Sequence, residues 1–320
     1  MKKIKTLSVL GATASGKSAL AVELAARLGG EIVSCDSMQL YREMNIGTAT
    51  PPLEERGGIV HHLFDIVPPE TDFSAAEYAR AASAAIEETA SRGKLPILCG
   101  GTGMYFDSLM KITSFSEGEK DDALREELFE YAAENGNTAL HEKLKKIDPI
   151  AAEAIHPNNV KRVVRAIEIY ETTGKTKTET DRKQVEGEIP YDNFTVIIDF
   201  LDRAKLYDRI EKRVDIMMSE GLEEEARRLF CSERKLSKTA SQAIGYKEFF
   251  PYFEGEKTRE EITSDIKLAT RHYAKRQLIW FRHYKDAFLV HPDKGEVIMS
   301  AAELADEVVS KLKEKNFIEK

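Results

Sequence analysis

The stretch from Val9 to Ser18, Val-Leu-Gly-Ala-Thr-Ala-Ser-Gly-Lys-Ser, limits what this chain can fold into more than any other. It matches the pattern G-x-x-x-x-G-K-[ST], with an apolar run, 7–10, before it and helical spacing of leucines and alanines, 17–28, after it. In such a loop, backbone N–H groups and the helix N-terminus bind phosphate oxygens, Lys17 adds positive charge and Ser18 offers a hydroxyl to Mg²⁺. The pattern therefore predicts a strand, a loop and a helix that hold a diphosphate. It does not say which diphosphate.

Composition places the chain among ordinary globular enzymes. It has 320 residues, 42% of them hydrophobic and 32% charged. No apolar run approaches the ~18 residues that span a bilayer, and the basic N-terminus leads directly into the loop. We therefore expect a cytoplasmic protein without a membrane partner. The three cysteines, Cys35, Cys99 and Cys231, are far apart, which disfavours a disulfide framework or a zinc site.

The alternation of elements predicts an α/β fold with a parallel sheet flanked by helices, as in P-loop NTPases. Charged helical segments from about 115 interrupt this rhythm. We expect a catalytic core made of residues 1–114 and 196–320, with a helical insertion at 115–195. The predicted strands are 4–10, 31–35, 95–99, 194–198 and 287–290. The predicted helices are 17–28, 74–92, 120–147, 158–173, 203–230, 258–282 and 300–314.

Two carboxylates follow predicted strands. Asp36 comes directly after the second strand and would lie at the same sheet edge as the loop, where it could hold Mg²⁺ or take a proton. A helix N-cap is the alternative for Asp36. Asp199 ends the apolar run 196–198 and is the second carboxylate that a nucleotide kinase would need, although a simple strand-end residue is favoured. The glycine-rich segment 100–103 follows the third strand and belongs to the same edge.

The C-terminal part carries local positive charge on a chain whose net charge is −8. Residues 266–285 contain no acidic side chain, and aromatic residues interleave with the basic ones. Such a segment predicts a binding surface for phosphate or RNA, with a solvated helix face as the alternative. The basic residues are Lys267, Arg271, Lys275, Arg276, Arg282 and Lys285.

Six motifs, in this order, closely resemble the bacterial tRNA dimethylallyltransferases, also called tRNA isopentenyltransferases (the IPP transferase family). The resemblance covers essentially the whole chain, and the order of the motifs makes it specific. The motifs are D-S-M-Q-L-Y-R at 36–42, N-I-G-T-A at 45–49, H-H-L-F-D-I at 61–66, G-G-T-G-M-Y at 100–105, Q-A-I-G-Y-K-E at 242–248 and T-R-H-Y-A-K-R-Q-L-I-W-F-R at 270–282.

The resemblance implies transfer of a dimethylallyl group from dimethylallyl diphosphate to the exocyclic amine of adenosine 37, in a tRNA anticodon stem-loop, by a monomeric Mg²⁺-dependent enzyme. Asp36 matches the general base, and Ser18 matches the Mg²⁺ position. The implied catalytic residues are Asp36, Thr13, Lys17 and Arg209. The implied diphosphate-binding residues are Gly11, Ala12, Thr13, Ala14, Ser15, Gly16, Lys17, Ser18 and Arg213.

The resemblance also implies a tRNA-binding surface. A target base stacked in a loop must be flipped out and held by apolar or aromatic groups. The candidates for that role are Met38, Tyr41, Tyr105 and Tyr246, although core packing is favoured for each of them taken singly. The implied tRNA-binding residues are Asp36, Ser37, Met38, Gln39, Thr102, Arg125, Lys161, Arg162, Arg165, Gln242, Gly245, Tyr246, Lys247, Arg271, Lys275 and Arg276.

Small departures from the family pattern are Ala12 in place of the usual proline, Cys35 before Asp36, and Lys161 where some members carry glutamine. Three alternative functions stay open at this point. They are a prenyltransferase that modifies free adenine nucleotides, a nucleotide or small-molecule kinase, and an RNA-binding P-loop protein without catalysis.

Overall fold

The computed structural model describes residues 3–110, 121–185, 189–231 and 234–319. Within these ranges six strands form one parallel sheet in the order β3-β2-β4-β1-β5-β6, which confirms the predicted fold class. The strands are β1 (Ile4–Gly11), β2 (Gly30–Ser34), β3 (His61–His62), β4 (Leu95–Gly100), β5 (Tyr191–Ile198) and β6 (Phe288–Val290). Strand β3 was not predicted, because two residues are too few to show a hydrophobic alternation.

Helices connect the successive strands along the chain. Several begin at a side chain that accepts a backbone N–H; Ser74 and Thr258 each form a capping box with the glutamate three residues later. The helices of the described ranges are α1 (Lys17–Leu28), α2 (Ala75–Ser91), α3 (Gly103–Met110), α4 (Asp122–Asn135), α5 (Asn137–Ile147), α6 (Pro149–Ala154), α7 (Val160–Thr173), α8 (Lys177–Val185), α9 (Arg203–Ser219), α10 (Leu222–Phe230), α11 (Phe250–Phe253), α12 (Arg259–Phe281) and α13 (Ala301–Glu314). No helix in these ranges has the length and apolar character needed to cross a membrane.

The chain divides into two compact units, and the first comprises residues 1–109 and 190–320. Its core joins the central strand β1 to helix α1, with Leu7, Leu20 and Leu24 fully buried. Burial of each such side chain stabilises the fold by about 1.5–3 kcal/mol. The register aligns Gly11 with Ile198 and Leu10 with Gly100. The loops that follow β1, β4 and β5 therefore start at the same sheet edge.

The second unit comprises residues 110–189. Its core is formed by α4, α5, α6 and α7, with Leu140, Leu144 and Val163 fully buried. The predicted insertion ended at 195, but the unit ends earlier because Tyr191 already pairs with Ile4 in the sheet. Helix α8 lies in the polar stretch 174–193, where no helix was predicted. Its position depends on a tertiary contact, since the Asp148 carboxylate accepts hydrogen bonds from the amide and the hydroxyl of Thr178.

Candidate active site

The loop after β1 has the conformation that a phosphate-binding loop requires. Gly16 has a positive φ of 97°, which glycine adopts without steric cost, and Ala14 also has a positive φ, of 59°. A Cβ on Gly11 would lie 2.8 Å from the Ser15 hydroxyl, so the loop closes tightly on itself. Helix α1 begins directly after Gly16. Its first N–H groups and the dipole of the helix therefore point toward the loop, as anion binding requires.

Three cations converge on this loop. Lys17 is buried and donates to the carbonyl of Ala12 at 3.4 Å, and Arg209 donates from Nε to the carbonyl of Ala14 at 2.8 Å. Arg213 lies one helical turn after Arg209 on α9 and lines the adjoining cavity. The resemblance implies that both arginines serve the diphosphate, and the fold brings Arg209 to the loop and Arg213 to the cavity beside it.

The surroundings of these cations favour a bound anion. Burial lowers the pKa of Lys17, and Arg213 lowers it further, while Asp36 acts in the opposite direction. Burial also lowers the pKa of Arg209 and of Arg213, and Arg209 contributes to the lowering at Arg213. Buried like charges are costly without a partner. A polyanion such as a diphosphate would supply the compensating charge.

Asp36 follows β2 in a turn, and no helix starts there, so the N-cap alternative is wrong. Its Oδ1 accepts a hydrogen bond from the amide of Met38 at 3.0 Å. The next amide, Ser37, donates to the hydroxyl of Thr102 at 3.0 Å. Thr102 itself donates from its amide to the carbonyl of Cys35. The turn that carries Asp36 is thus fastened to the glycine-rich loop after β4.

Glycines 100 and 101 are required for this close approach. A Cβ on Gly100 would lie 2.0 Å from the carbonyl oxygen of Cys35, and a Cβ on Gly101 would lie 2.1 Å from Nε2 of Gln277. The oxygen near Gly100 is backbone and cannot give way, whereas the amide near Gly101 is the end of a side chain, which a methyl group would displace. This explains why the motif carries two glycines before Thr102.

A cavity of about 250 Å³ joins the two sets of residues. It is lined by Thr13 and Ala14 of the loop, by Arg213 and by the Asp36 turn, and Tyr273 and Arg276 reach it from α12. A second, more open cavity of about 670 Å³ shares Ala49, Arg213 and Met217 with the first. Among the predicted site residues, those that line the first cavity are Thr13, Ala14, Asp36, Ser37, Met38, Arg213, Gln242, Gly245, Lys247 and Arg276. Ser18 lines the second.

Several residues that were predicted to contact tRNA do not line the cavity but pack behind its walls. The side chain of Gln39 is buried, donates to the carbonyl of Ala49 and lies 3.1 Å from the hydroxyl of Ser34. Tyr41, Tyr105 and Tyr246 are almost fully buried, which agrees with the favoured core packing and not with a base platform. Met38 is the exception, because it lines the cavity.

Glu225, on α10, is an important residue that the sequence analysis missed. Its carboxylate is buried and accepts hydrogen bonds from the amides of Asn45, Ile46 and Gly47 and from the hydroxyl of Tyr246. These bonds fix the loop that forms one wall of the cavity. In the sequence, Glu225 follows two other glutamates and looks like part of a solvated helix face, so no local signal identified it.

The basic helix α12 is only partly free to bind a ligand. Lys267 forms an ion pair with Asp215 at 2.6 Å, and Arg271 forms one with Glu211. Lys275 and Arg276 are exposed. Of the predicted basic residues, Lys275 and Arg276 on the second half of this helix and Arg282 and Lys285 just after it are exposed, whereas Arg271 is engaged within the protein.

In the second unit the predicted RNA-contacting residues also differ in their surroundings. Arg125 and Arg165 both donate to the carboxylate of Glu168, which is fully buried. Lys161 and Arg162 are exposed at the start of α7. The charge of the first two arginines is thus compensated within the unit, which sequence spacing did not reveal.

Asp199 has the character of a strand-end residue. Its amide donates to the carbonyl of Val290, and its carbonyl accepts a hydrogen bond from the ring of His291. Its carboxylate lies 3.9 Å from Arg203. Asp199 does not line either cavity, so the structure offers no support for its role as the second carboxylate of a kinase.

The fold and the cation-lined cavity define a P-loop protein of the α/β class. The sequence model of the family described as IPP transferase matches residues 39–284. The chain is 47% identical to a tRNA dimethylallyltransferase of Acetivibrio thermocellus over 90% of this chain and 92% of that protein. It is 44% identical to a tRNA dimethylallyltransferase of Halalkalibacterium halodurans, over 98% and 99% of the two chains. The chain belongs to the IPP transferase family.

Solved structures agree with this assignment. The crystal structure of a full-length tRNA isopentenylpyrophosphate transferase from Bacillus halodurans is 40% identical, covers 98% of this chain and 99% of its own, and gives a TM-score of 0.70. A eukaryotic dimethylallyltransferase, crystallised while acting on tRNA, is 30% identical with a TM-score of 0.82, covering 98% of this chain and 80% of its own. The predicted resemblance to this family is confirmed.

Proposed function

We propose that this protein transfers a dimethylallyl group from dimethylallyl diphosphate to the exocyclic amine of adenosine 37 in tRNAs, giving N6-dimethylallyladenosine and diphosphate. One observation carries this proposal: a single cavity is lined by Thr13 and Ala14 of the loop after β1, by Arg213 and by Asp36. The family's relatives, named tRNA dimethylallyltransferases, support the same reaction.

The donor side suits a leaving diphosphate. Lys17, Arg209 and Arg213, whose pKa values burial lowers, present positive charge, and the loop adds its backbone amides. As the bond between the dimethylallyl carbon and the diphosphate oxygen breaks, negative charge grows on that oxygen. Fixed cations stabilise the growing charge more than they stabilise the bound substrate, which lowers the barrier.

The acceptor side suits an aromatic amine. The N6 nitrogen of adenine attacks the dimethylallyl carbon, and positive charge develops on the nitrogen as the new bond forms. The Asp36 carboxylate takes the proton that this nitrogen must lose, so that a neutral secondary amine and free diphosphate result. Met38 and Ser37 line the cavity together with Asp36, and we propose that they hold the base there.

Magnesium fits the donor side. Mg²⁺ is usually held by one or two protein oxygens together with phosphate oxygens and water, and Ser18 lies next to Lys17 at the start of α1. Among the described residues there is no cluster of three or more His, Cys, Asp or Glu that would make an all-protein site. We propose that Ser18 and the diphosphate hold the ion, which supplies charge neutralisation to the leaving group when bound.

The tRNA would be held by basic residues outside the cavity. Lys275 and Arg276 are exposed on α12, and Arg276 also lines the cavity. We propose that these residues contact phosphates of an anticodon stem-loop, and that a single chain acts on one tRNA in the cytoplasm.

The experiment that tests this proposal offers the purified protein Mg²⁺, radiolabelled dimethylallyl diphosphate and an anticodon stem-loop with adenosine at position 37. A stem-loop with guanosine at that position is the matched control. Label on the adenosine stem-loop alone would support the proposal. Label on AMP in a parallel reaction, with none on RNA, would instead indicate an adenine-nucleotide prenyltransferase. Turnover of ATP without transfer would indicate a kinase.

A further inference from the structure

A single side-chain amide connects the two loops of the candidate active site. Gln277 is buried on α12, and its Oε1 accepts a hydrogen bond from the amide of Thr13 at 2.9 Å. Its Nε2 donates to the carbonyl of Gly101, also at 2.9 Å. Thr13 belongs to the diphosphate loop, and Gly101 belongs to the loop after β4. One amide thus satisfies one backbone group on each loop.

A chain of hydrogen bonds and peptide bonds connects Gln277 with Asp36. Gly101 precedes Thr102, whose hydroxyl accepts the amide of Ser37, and Ser37 follows Asp36 directly. The path from the donor-binding loop to the proton acceptor therefore runs through Thr13, Gln277, Gly101, Thr102 and Ser37. Its links are short hydrogen bonds or peptide bonds. Such a path fixes the distance between the two halves of the cavity.

We propose that Gln277 is a positioning residue that sets Thr13 and the diphosphate loop at the correct distance from Asp36. This inference rests on the proposed transfer reaction. Attack of an amine on a carbon atom requires the two reacting atoms to be close and aligned, and a misplacement of ~1 Å costs on the order of 10²-fold in rate. Since Gln277 itself does not line the cavity, it acts through the two loops.

A substitution at Gly101 is an independent way to disturb the hydrogen bonds of Gln277. Gly101 has no positive φ, so alanine is compatible with its backbone, but its Cβ would lie 2.1 Å from Nε2 of Gln277. The next nearest atom is 3.3 Å away and belongs to the same glutamine side chain. Gly101→Ala should therefore displace the amide of Gln277. If Gln277 is first shortened to alanine, the added methyl group has room.

The test compares Gln277→Met, which keeps the length of the side chain and removes both hydrogen bonds, with Leu278→Met, a buried and volume-conserving control on the same helix. Thermal melting first checks that each variant is folded. We expect the single-turnover rate of transfer to fall on the order of 10²-fold in Gln277→Met, with unchanged affinity for the stem-loop. Leu278→Met should keep the wild-type rate. A merely structural role would lower the melting temperature without this split between rate and affinity.

The second arm measures Gly101→Ala, Gln277→Ala and the double variant. We expect Gly101→Ala to be slow alone, and the double variant to be no slower than Gln277→Ala. A wild-type rate in folded Gln277→Met, or losses in the double variant that multiply, would overturn the inference while leaving the proposed function intact. Absence of transfer by the wild-type protein would instead reject the proposed function, and this inference with it.

Discussion

The hydroxyl of Tyr246 donates a 2.6 Å hydrogen bond to the buried carboxylate of Glu225. The same carboxylate holds the amides of residues 45–47, and the ring of Tyr246 covers Gly47 so closely that a Cβ there would lie 2.5 Å from it. Three segments distant in sequence are thereby joined at one wall of the cavity. Burial and the neighbouring Glu225 carboxylate also raise the pKa of the Tyr246 hydroxyl well above its ordinary value, so it stays protonated and continues to donate.

The first prediction concerns this bond. Tyr246→Phe removes a hydrogen bond to a charged acceptor and should lower the free energy of unfolding by about 1.5–3 kcal/mol. Tyr191→Phe is the matched control, because Tyr191 is also buried but its hydroxyl donates to a neutral group, Ser83, at 2.9 Å. We expect about 1 kcal/mol for the control, from urea denaturation of both variants. If both variants lost the same free energy of unfolding, the charge of Glu225 would not strengthen its hydrogen bond with Tyr246.

The second prediction separates the two carboxylates that follow sheet strands. Asp36→Ala should reduce the rate of transfer by about 10²–10⁴-fold, the usual contribution of a general base, and leave stem-loop affinity nearly unchanged. Asp199→Asn should leave both the rate and the affinity at wild-type values, since Asp199 lies outside both cavities. Single-turnover kinetics and filter binding measure the two quantities. An Asp36 variant with most of its rate would remove this residue from the chemistry.

The third prediction concerns the exposed half of α12. Lys275→Ala combined with Arg276→Ala should weaken stem-loop binding and reduce the slope of log affinity against log salt by about 0.7–0.9 for each lost phosphate contact. Lys313→Ala with Lys315→Ala removes the same number of charges from the exposed end of the chain and should leave the slope unchanged. Binding titrations at several salt concentrations give both slopes. If both double variants changed the slope equally, the effect would come from net charge and not from contacts made by Lys275 and Arg276.

The fourth prediction concerns the helical unit and acid. Burial raises the pKa of Glu168, but hydrogen bonds from Arg125 and Arg165 outweigh this, so its pKa lies below the ordinary value of 4.5. The stabilisation from this carboxylate is therefore complete above pH 4.5 and is lost as the pH falls through the lower folded-state value. Glu168→Gln should lower the free energy of unfolding by about 2–3 kcal/mol at pH 7, because both arginines lose their charged partner. The loss is moderate because both arginine side chains still reach water.

Urea denaturation of Glu168→Gln and the wild-type protein from pH 7 to pH 3 checks this. The difference between the two proteins should shrink on acidification. Arg162→Gln is the control, because Arg162 is exposed on the same helix. A difference that does not change with pH would contradict the ion-pair explanation.

The fifth prediction concerns the thiols. Burial raises the pKa of Cys35 to about 12 and that of Cys99 to about 11, whereas Cys231 is exposed. Because the thiolate is the reactive form, a thiol reagent at pH 8 should modify Cys231 rapidly and the other two only after unfolding. Mass spectrometry of the labelled peptides gives the rates. Rapid labelling of Cys99 in the native protein would show that water reaches the floor of the diphosphate loop.

Much of the fold could be predicted from local patterns. The strands at 4–10 and 95–99 and the helix at 17–28 were placed to within a residue or so, since buried parallel strands and amphipathic helices leave distinct periodicities. Strand β3 and helix α8 were not predicted, because neither has a distinct hydrophobic periodicity. The first is two residues long, and the second is polar and depends on Thr178 binding Asp148.

The diphosphate loop and Asp36 were found in the sequence because each is a short motif directly after a strand, and such positions meet at one edge of a parallel sheet. Glu225 and Gln277 carried no such signal. Their roles arise from backbone groups about 180 and 264 residues away, respectively, along the chain. Likewise, only tertiary packing decided that Arg125, Arg165 and Arg271 pair with carboxylates while Lys275 and Arg276 face the solvent. A local pattern specifies which element forms and which edge it ends on, because those depend on neighbouring residues. The partner of a charged or polar side chain depends on which distant residues the folded chain brings near it. Only the three-dimensional structure determines those neighbours.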